Sequence, residues 1–247
     1  MKKLSCLFLT FVMFFVTSAS ISAYAVDEPY VVSVITYDEI KDPELLLQTA
    51  VARSKARGVS NITLYGDETD DKAVVKQVLK ETTYSDGHIE EESILTGISI
   101  LEDINGKTIA RNPITIEDFE KGGSLGDSYA TLKIKVYSQP RGEWWPTPLA
   151  RIVSLSASCG NAPSASFATR VSFLYKVDYE FATHVNETQD VSVSGNEWVT
   201  MYTKDAGYYE LYGMLGQQVL GAATVHLNNG SSFQIVMNVY DYFKDPY

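Results

Sequence analysis

The chain has 247 residues, a formal net charge of −11 and 45% hydrophobic residues, and it contains only two cysteines. This apolar content is ordinary for a globular protein and excludes wholesale disorder, and two cysteines cannot build a disulfide scaffold. The acidic excess argues against a nucleic-acid-binding protein, because phosphate contacts require clustered lysine and arginine. Composition therefore bounds the class of protein but does not name a function.

The first 25 residues have the pattern of a secretory signal peptide. Lys2 and Lys3 precede an apolar run over residues 4–16, and the Ala-Tyr-Ala sequence at 23–25 fits the small-residue cleavage site. The run is shorter than the ~20 residues that a membrane span needs. We therefore expect cleavage near Ala25, secretion, and no transmembrane anchor in the mature chain. Removal of the two lysines changes the net charge from −11 to −13.

Charge and aromatic content divide the remaining chain near residue 127. Residues 26–127 carry 21 acidic and 10 basic side chains, whereas residues 128–247 carry 10 acidic and 8 basic side chains and all three tryptophans. The Gly- and Ser-rich segment 121–127 is typical of a loop or linker. We predict an acidic, β-rich N-terminal unit (26–127) with one helix and an aromatic-rich β-sandwich unit (128–247). A single sandwich with a long loop is the alternative.

In the first unit, residues 30–36 are predicted to form a strand, and Asp42 with Pro43 gives an N-cap followed by proline at the first helical position. The leucines that follow and the stop at Gly58 predict a helix over 43–57. A short strand is expected at 62–65. Residues 74–79 fit either a helical stripe or a strand, and we favour strands because hairpin-type Asp-Gly and Asn-Gly turns follow.

The second unit has clear strand periodicity. From Val171 to Phe181, apolar or aromatic side chains occupy every second position, which is typical of an antiparallel strand with one solvated face. Similar alternation occurs over 132–136, 153–157 and 233–239, and Asn229-Gly230 is expected to join two strands as a hairpin. The chain is therefore predicted to be mainly β, an antiparallel sandwich or barrel-like fold with one short helix.

An acidic cluster is the one candidate metal site in the sequence. It consists of Asp67, Glu68, Asp70 and Asp71, and calcium prefers several such oxygen ligands. Lys72 occupies the position at which an EF-hand loop needs glycine, so a solvated acidic loop is the alternative. No cofactor other than calcium is expected.

Residues for nucleophilic catalysis are present without the motifs that use them. Cys159 is expected to be a buried or idle thiol, because its surroundings match no catalytic-cysteine signature. The three histidines lack metal-ligand spacing, and no G-x-S-x-G sequence occurs. No catalytic residue is therefore predicted.

Aromatic side chains are the strongest candidates for ligand binding. Two adjacent tryptophans lie in a proline-bracketed loop. A third tryptophan and four tyrosines, Tyr202 among them, could line a sheet face. The candidates are Trp144, Trp145, Trp198, Tyr208, Tyr209 and Tyr212. Exposed rings stack on sugars or anchor protein interfaces, and packing within the core is the alternative role.

These features favour an exported, non-catalytic β-protein that binds a protein or glycan outside the cell. The Lys-Lys start of the signal peptide suggests a bacterial source. The first alternative is a carbohydrate-binding or carbohydrate-active protein that uses exposed Trp and Tyr rings with carboxylates. The second is a toxin-like, membrane-active β-protein, for which the serine-rich strand 154–158 is the only hint.

Overall fold

The structure is a computed structural model. It describes residues 29–55, 60–65, 73–100, 103–104, 107–108, 129–139, 148–160, 167–179, 182–195, 197–211, 218–230 and 232–243. The predicted signal peptide and the predicted calcium cluster lie outside the described residues.

The described residues form fourteen strands and two helices. The strands of the first half are β1 (Val31–Thr36), β2 (Ile62–Tyr65), β3 (Ala73–Tyr84), β4 (Ile89–Ile100), β5 (Asp103–Ile104) and β6 (Lys107–Thr108). Those of the second half are β7 (Tyr129–Gln139), β8 (Leu149–Gly160), β9 (Ala168–Tyr179), β10 (Ala182–Ser192), β11 (Val199–Tyr202), β12 (Tyr209–Glu210), β13 (Gln218–Leu227) and β14 (Ser232–Asn238). The helices are α1 (Pro43–Lys55) and α2 (Tyr240–Phe243).

The large sheet has eight strands, and every pairing is antiparallel. Six of them follow one another in the order β1-β3-β4-β7-β8-β11, and the other two are β2 and β12. Each edge of this sheet is shared by two short strands: β1 and β2 both pair with β3, and β11 and β12 both pair with β8. The sheet therefore contains strands from both sides of residue 127, and the division of the chain at that residue stays a prediction.

The small sheet has four antiparallel strands in the order β10-β9-β13-β14, and its last two strands form the predicted hairpin. Gly230 has a φ of 83° in that hairpin turn, and Gly87 has a φ of 88° in the turn between β3 and β4. These left-handed conformations favour glycine. Both turns were expected from their Asn-Gly and Asp-Gly sequences.

The two sheets pack face to face through one apolar core. Side chains from β7 and β8, such as Ile134 and Leu155, share this core with Phe173 and Val225 of the small sheet. Gly221 on β13 allows the sheets to approach closely, because a Cβ atom built there would lie 2.4 Å from Ile134 Cδ1. The prediction of a mainly β, antiparallel sandwich is confirmed, and the described strands form two sheets that do not close into a barrel.

The helix α1 covers one end of the opposite face of the large sheet. Asp42 caps it, since its Oδ1 accepts a hydrogen bond from Leu45 N at 2.8 Å. Leu46, Leu47 and Ala50 of the helix then pack in a second cluster with residues that include Val75 and Ile98. The predicted N-terminal helix is confirmed, and its last two predicted residues lie outside the described part.

Residues 74–79, for which both a helix and a strand were considered, lie within β3. None of the helices among the described residues has both the length and the apolar composition that a membrane span requires.

Candidate functional site

The face of the large sheet that points away from the small sheet, hereafter the outer face, carries charged, hydroxyl and aromatic side chains. On β7, Lys133 alternates with buried residues of the core, and it pairs across the sheet with Ser156 of β8. Ser156 pairs in turn with Thr200 of β11, and the two hydroxyl oxygens lie 2.8 Å apart. Since side chains alternate between the two faces of a strand, these three residues define one transverse row of the outer face.

The ring of Trp198 lies close to these three residues on the outer face. Its ring centroid is 4.8 Å from Lys133 Nζ, although β8 separates β7 from β11 in the sheet. The residue of β8 that lies between Lys133 and Thr200 is Ser156, whose side chain is small. Lys133 Nζ is also 3.2 Å from Glu39 Oε1 and donates to the Lys41 carbonyl at 3.0 Å. The indole is therefore held over a neutralised cation while 43% of its residue surface stays exposed.

A second aromatic and cationic group lies farther along the outer face. The Arg151 guanidinium is 5.1 Å from the ring centroid of Tyr137 and 5.1 Å from that of Tyr208. Arg151 also donates a hydrogen bond to the Ala206 carbonyl at 3.3 Å. A planar guanidinium between two rings is a favourable cation–π arrangement that orients all three side chains.

Carboxylates complete the outer face. Glu90 accepts hydrogen bonds from Tyr84 Oη at 2.9 Å and from Gln139 Nε2 at 3.2 Å. Burial raises the pKa of Tyr208, and the negative charge of Glu90 raises this pKa further, against the opposing effect of Arg151. This tyrosine is therefore a neutral hydroxyl at physiological pH.

Lys135 and Glu92 form an ion pair at 2.6 Å on the same face. Burial alone would lower the pKa of Lys135, but its hydrogen bond and charge interaction with Glu92 outweigh burial and raise this pKa. The lysine therefore stays protonated and paired. Two cations of the outer face, Lys133 and Lys135, are thus each paired with a carboxylate, Glu39 and Glu92 respectively.

Three aromatic residues of the segment that pairs with β8 follow one another in the direction of that strand. We call them the aromatic row: Trp198, Tyr202 and Tyr208. Val199 pairs with Ala157 and Tyr202 with Ser154, while Tyr209 pairs with Ala150. The row therefore runs from the level of Ser158 to that of Arg151. These levels are seven residues apart on β8, and the bulge at Val153 takes up one of them, so at ~3.4 Å per residue the distance is about 20 Å.

The segment that carries Tyr208 is fixed at several points. Thr203 Oγ1 donates to the Ile152 carbonyl at 2.8 Å, which ties the segment to β8. The Glu187 carboxylate of β10 accepts hydrogen bonds from the backbone amides of Lys204 and Asp205, each at 2.9 Å. Charge-assisted bonds of this kind are stronger than neutral ones. The loop is therefore held in place before any ligand arrives.

Tyr209, the neighbour of Tyr208, points to the other side of the sheet. It packs against the apolar core, and its hydroxyl bonds to Asp205. The Tyr175 hydroxyl donates to Asp205 Oδ2 at 3.4 Å, so one carboxylate joins both sheets. Tyr209 is an anchor of the loop and lies outside the aromatic row.

This anchor predicts a loss of stability in alkali. Burial, followed by the hydrogen bond to Asp205, raises the pKa of Tyr209 from 10.0 to about 12, and burial also raises the pKa of Tyr175. The folded state then holds these protons more tightly than the unfolded state. Their contribution to stability is complete below pH 10 and is lost as the pH rises towards 12.

Thermal unfolding measured at increasing alkaline pH should follow this course, with tyrosinate absorbance as a second readout. The Tyr209→Phe variant should show a shallower decline in melting temperature, because it removes one of the protons concerned. A decline of identical slope in both proteins would contradict the assignment of part of the alkaline destabilisation to the Tyr209 hydroxyl.

Only part of the predicted site can be placed. Trp198 and Tyr208 lie on the outer face, whereas Trp144, Trp145 and Tyr212 lie outside the described residues. So do Asp67, Glu68, Asp70 and Asp71. Among the residues that the structure describes, no group of three or more His, Cys, Asp or Glu side chains could hold a metal ion.

Tyr137, Lys133, Lys135 and Arg151 also belong to the outer face and were not among the site residues predicted from the sequence, whereas Tyr202 was expected beside the other tyrosines. The alternation of Lys133 and Lys135 with apolar residues did indicate that they share a solvated face. It could not indicate that Trp198 would reach Lys133, because that contact depends on which strands are neighbours.

Cys159 lies on β8 within the apolar core. Burial raises the pKa of its thiol to about 11, so the nucleophilic thiolate is scarce at neutral pH. The thiol is therefore buried, as one of the two expected outcomes required.

Comparison of the chain with protein-family models, with curated protein sequences and with solved structures gives no significant match. The function of the outer face is therefore inferred from the geometry of its side chains.

Proposed function

We propose that the chain is an exported, non-catalytic binding protein whose ligand is a glycan held on the outer face of the large sheet. The signal-peptide pattern at residues 1–25 supports export. The observation that carries glycan binding is the aromatic row, in which Trp198 is 43% and Tyr202 is 74% exposed.

Ring chemistry supports a sugar ligand. The faces of Trp and Tyr rings stack on the C–H faces of sugars, and their polar atoms remain available for hydrogen bonds. Between the rings lie short hydroxyl side chains, including Ser156 and Thr200, which can bond to sugar hydroxyls. A protein partner would favour a more apolar patch at the centre of its interface.

Preorganisation also supports binding. Trp198 is held against Lys133, and Tyr208 is stacked against Arg151 on a loop with fixed ends. A ligand that meets side chains already in position loses less of its binding energy to ordering them. This property suits a shallow surface, where each sugar makes few contacts.

A glycan array probed with the labelled mature chain, residues 26–247, tests the proposal. We expect binding to at least one class of glycan, and we expect Trp198→Ala to weaken that binding about tenfold, from the lost stacking and buried ring surface.

Phe167→Ala provides a matched control, because Phe167 is 49% exposed but precedes β9 of the small sheet. This variant should bind as the unsubstituted chain does. Absence of binding to every glycan, or equal binding by the Trp198→Ala chain, would overturn the proposal.

A further inference from the structure

We infer that the ligand is a neutral, linear polysaccharide that lies along β8 and contacts all three rings of the aromatic row. The inference rests on the proposed function and adds to it the charge and the length of the ligand.

The neutrality of the ligand follows from the ion pairs of the outer face. Lys133 Nζ contacts Glu39 Oε1 at 3.2 Å, and Lys135 Nζ contacts Glu92 Oε1 at 2.6 Å. Arg151 lies between two rings and donates to a backbone carbonyl. A polyanionic glycan would have to displace the carboxylate partners of the two lysines, and it would approach a mature chain whose formal charge is −13. A neutral glycan meets neither obstacle.

The length of the ligand follows from the spacing of the rings. Trp198 and Tyr202 lie two residues to either side of Thr200, so the rise of a strand places their Cα atoms about 14 Å apart. Tyr208 continues the row at the level of Arg151. One sugar can stack on one ring only, whereas a chain of sugars parallel to β8 can stack on each ring in turn.

The direction of the row also indicates recognition of the interior of a chain. The residues of the row belong to the segment in which β11 and β12 follow one another beside β8, and no other described strand pairs with β11 or β12. Within the part of the chain that the structure describes, a polysaccharide aligned with β8 can extend past Trp198 at one end and past Tyr208 at the other. Each added sugar then increases affinity until the ligand spans the row, since linked contacts act at high effective concentration.

Calorimetric titration of the mature chain with two ligand series tests the inference. The first series is an oligosaccharide ladder, from monosaccharide to long oligomer, of the neutral glycan that binds best on the array. The second consists of the polyanions alginate and polygalacturonate, each at low and at high salt.

We expect the dissociation constant to fall at least tenfold between the shortest oligomer that binds and the one that spans the row. Polyanions should bind at least tenfold more weakly at either salt concentration. Tyr202→Ala should weaken binding of the long oligomers about tenfold but change binding of the shortest oligomer less than twofold. Phe167→Ala should leave the binding of both unchanged.

The two failures are distinguishable. Two results would overturn this inference and leave glycan binding intact. The first is an equal affinity per sugar for the monosaccharide and the long oligomer. The second is a polyanion that binds more tightly than the neutral oligomers, with a salt dependence, and whose binding Trp198→Ala abolishes. Absence of binding in both series, or binding that Trp198→Ala leaves unchanged, would overturn the proposed function itself.

Discussion

The replacement of Gly221 by alanine is expected to destabilise the sandwich by about 1–3 kcal/mol, because the added methyl group has no room. Its Cβ atom would lie 2.4 Å from Ile134 Cδ1 and 2.9 Å from Leu155 Cδ2. Both neighbours are fully buried in the large sheet. Relief of the clash requires off-rotamer side chains or a wider separation of the sheets, and close-packed interiors resist either change.

Gly97→Ala is the matched control for this substitution. A Cβ atom at Gly97 would also approach the opposite sheet closely, but its nearest neighbour is Met237 Sδ at 2.9 Å. Methionine has three rotatable side-chain bonds and adapts to irregular space. We therefore expect Gly97→Ala to cost less than about 1 kcal/mol.

Urea denaturation followed by circular dichroism would measure the free energy of unfolding of both variants. A greater loss for Gly221→Ala than for Gly97→Ala would place the closest approach of the sheets at β13. Equal losses would mean that the large sheet adjusts as readily as a single methionine.

The periodicity of the sequence predicted the strands whose two faces have different environments. In β9, Phe173 and Tyr175 point into the core, whereas Leu174 and Lys176 are partly exposed, so the period of two is visible. In β3 the period disappears, because Val74 faces the small sheet while Ala73 and Val75 lie under α1. Burial on both faces makes consecutive residues apolar, and such a run resembles a helix segment as much as a strand.

The outer face could be predicted only in part, because it depends on the order of the strands. Between β8 and its neighbour β11 the chain forms β9 and β10, which belong to the other sheet. Local sequence carries no signal for this long-range pairing. Trp198 could therefore be identified as a candidate, but its contact with Lys133 could not.

Tyr208 and Tyr209 illustrate a second limit. Consecutive residues of extended chain point in opposite directions, so the two rings serve different purposes. Tyr208 stacks on Arg151 at the outer face, and Tyr209 packs against the core. Grouping them by proximity in sequence combined a ligand-binding candidate with a structural anchor.

Truncation of Phe173 to alanine is expected to give the largest loss of stability, about 3–5 kcal/mol. Its side chain is 2% exposed on β9, the strand that lies between β10 and β13 in the small sheet. The loss combines the transfer free energy of the ring with the cavity that remains, because neighbouring side chains relax only partly. A change of this size is a large fraction of the 5–15 kcal/mol typical of a folded domain.

Leu174→Ala is the control, because Leu174 is the next residue of the same strand and lies partly exposed on the opposite face. It should cost less than about 1.5 kcal/mol, since less apolar surface is lost and no enclosed cavity forms. Denaturant unfolding of both variants measures the difference. If the two losses were equal, the face of β9 that carries Phe173 would not be the core, and the packing of the small sheet on the large one would have to be revised. If they differ as expected, glycan binding by the folded Phe173→Ala chain should be unchanged, because no residue of the aromatic row belongs to the small sheet.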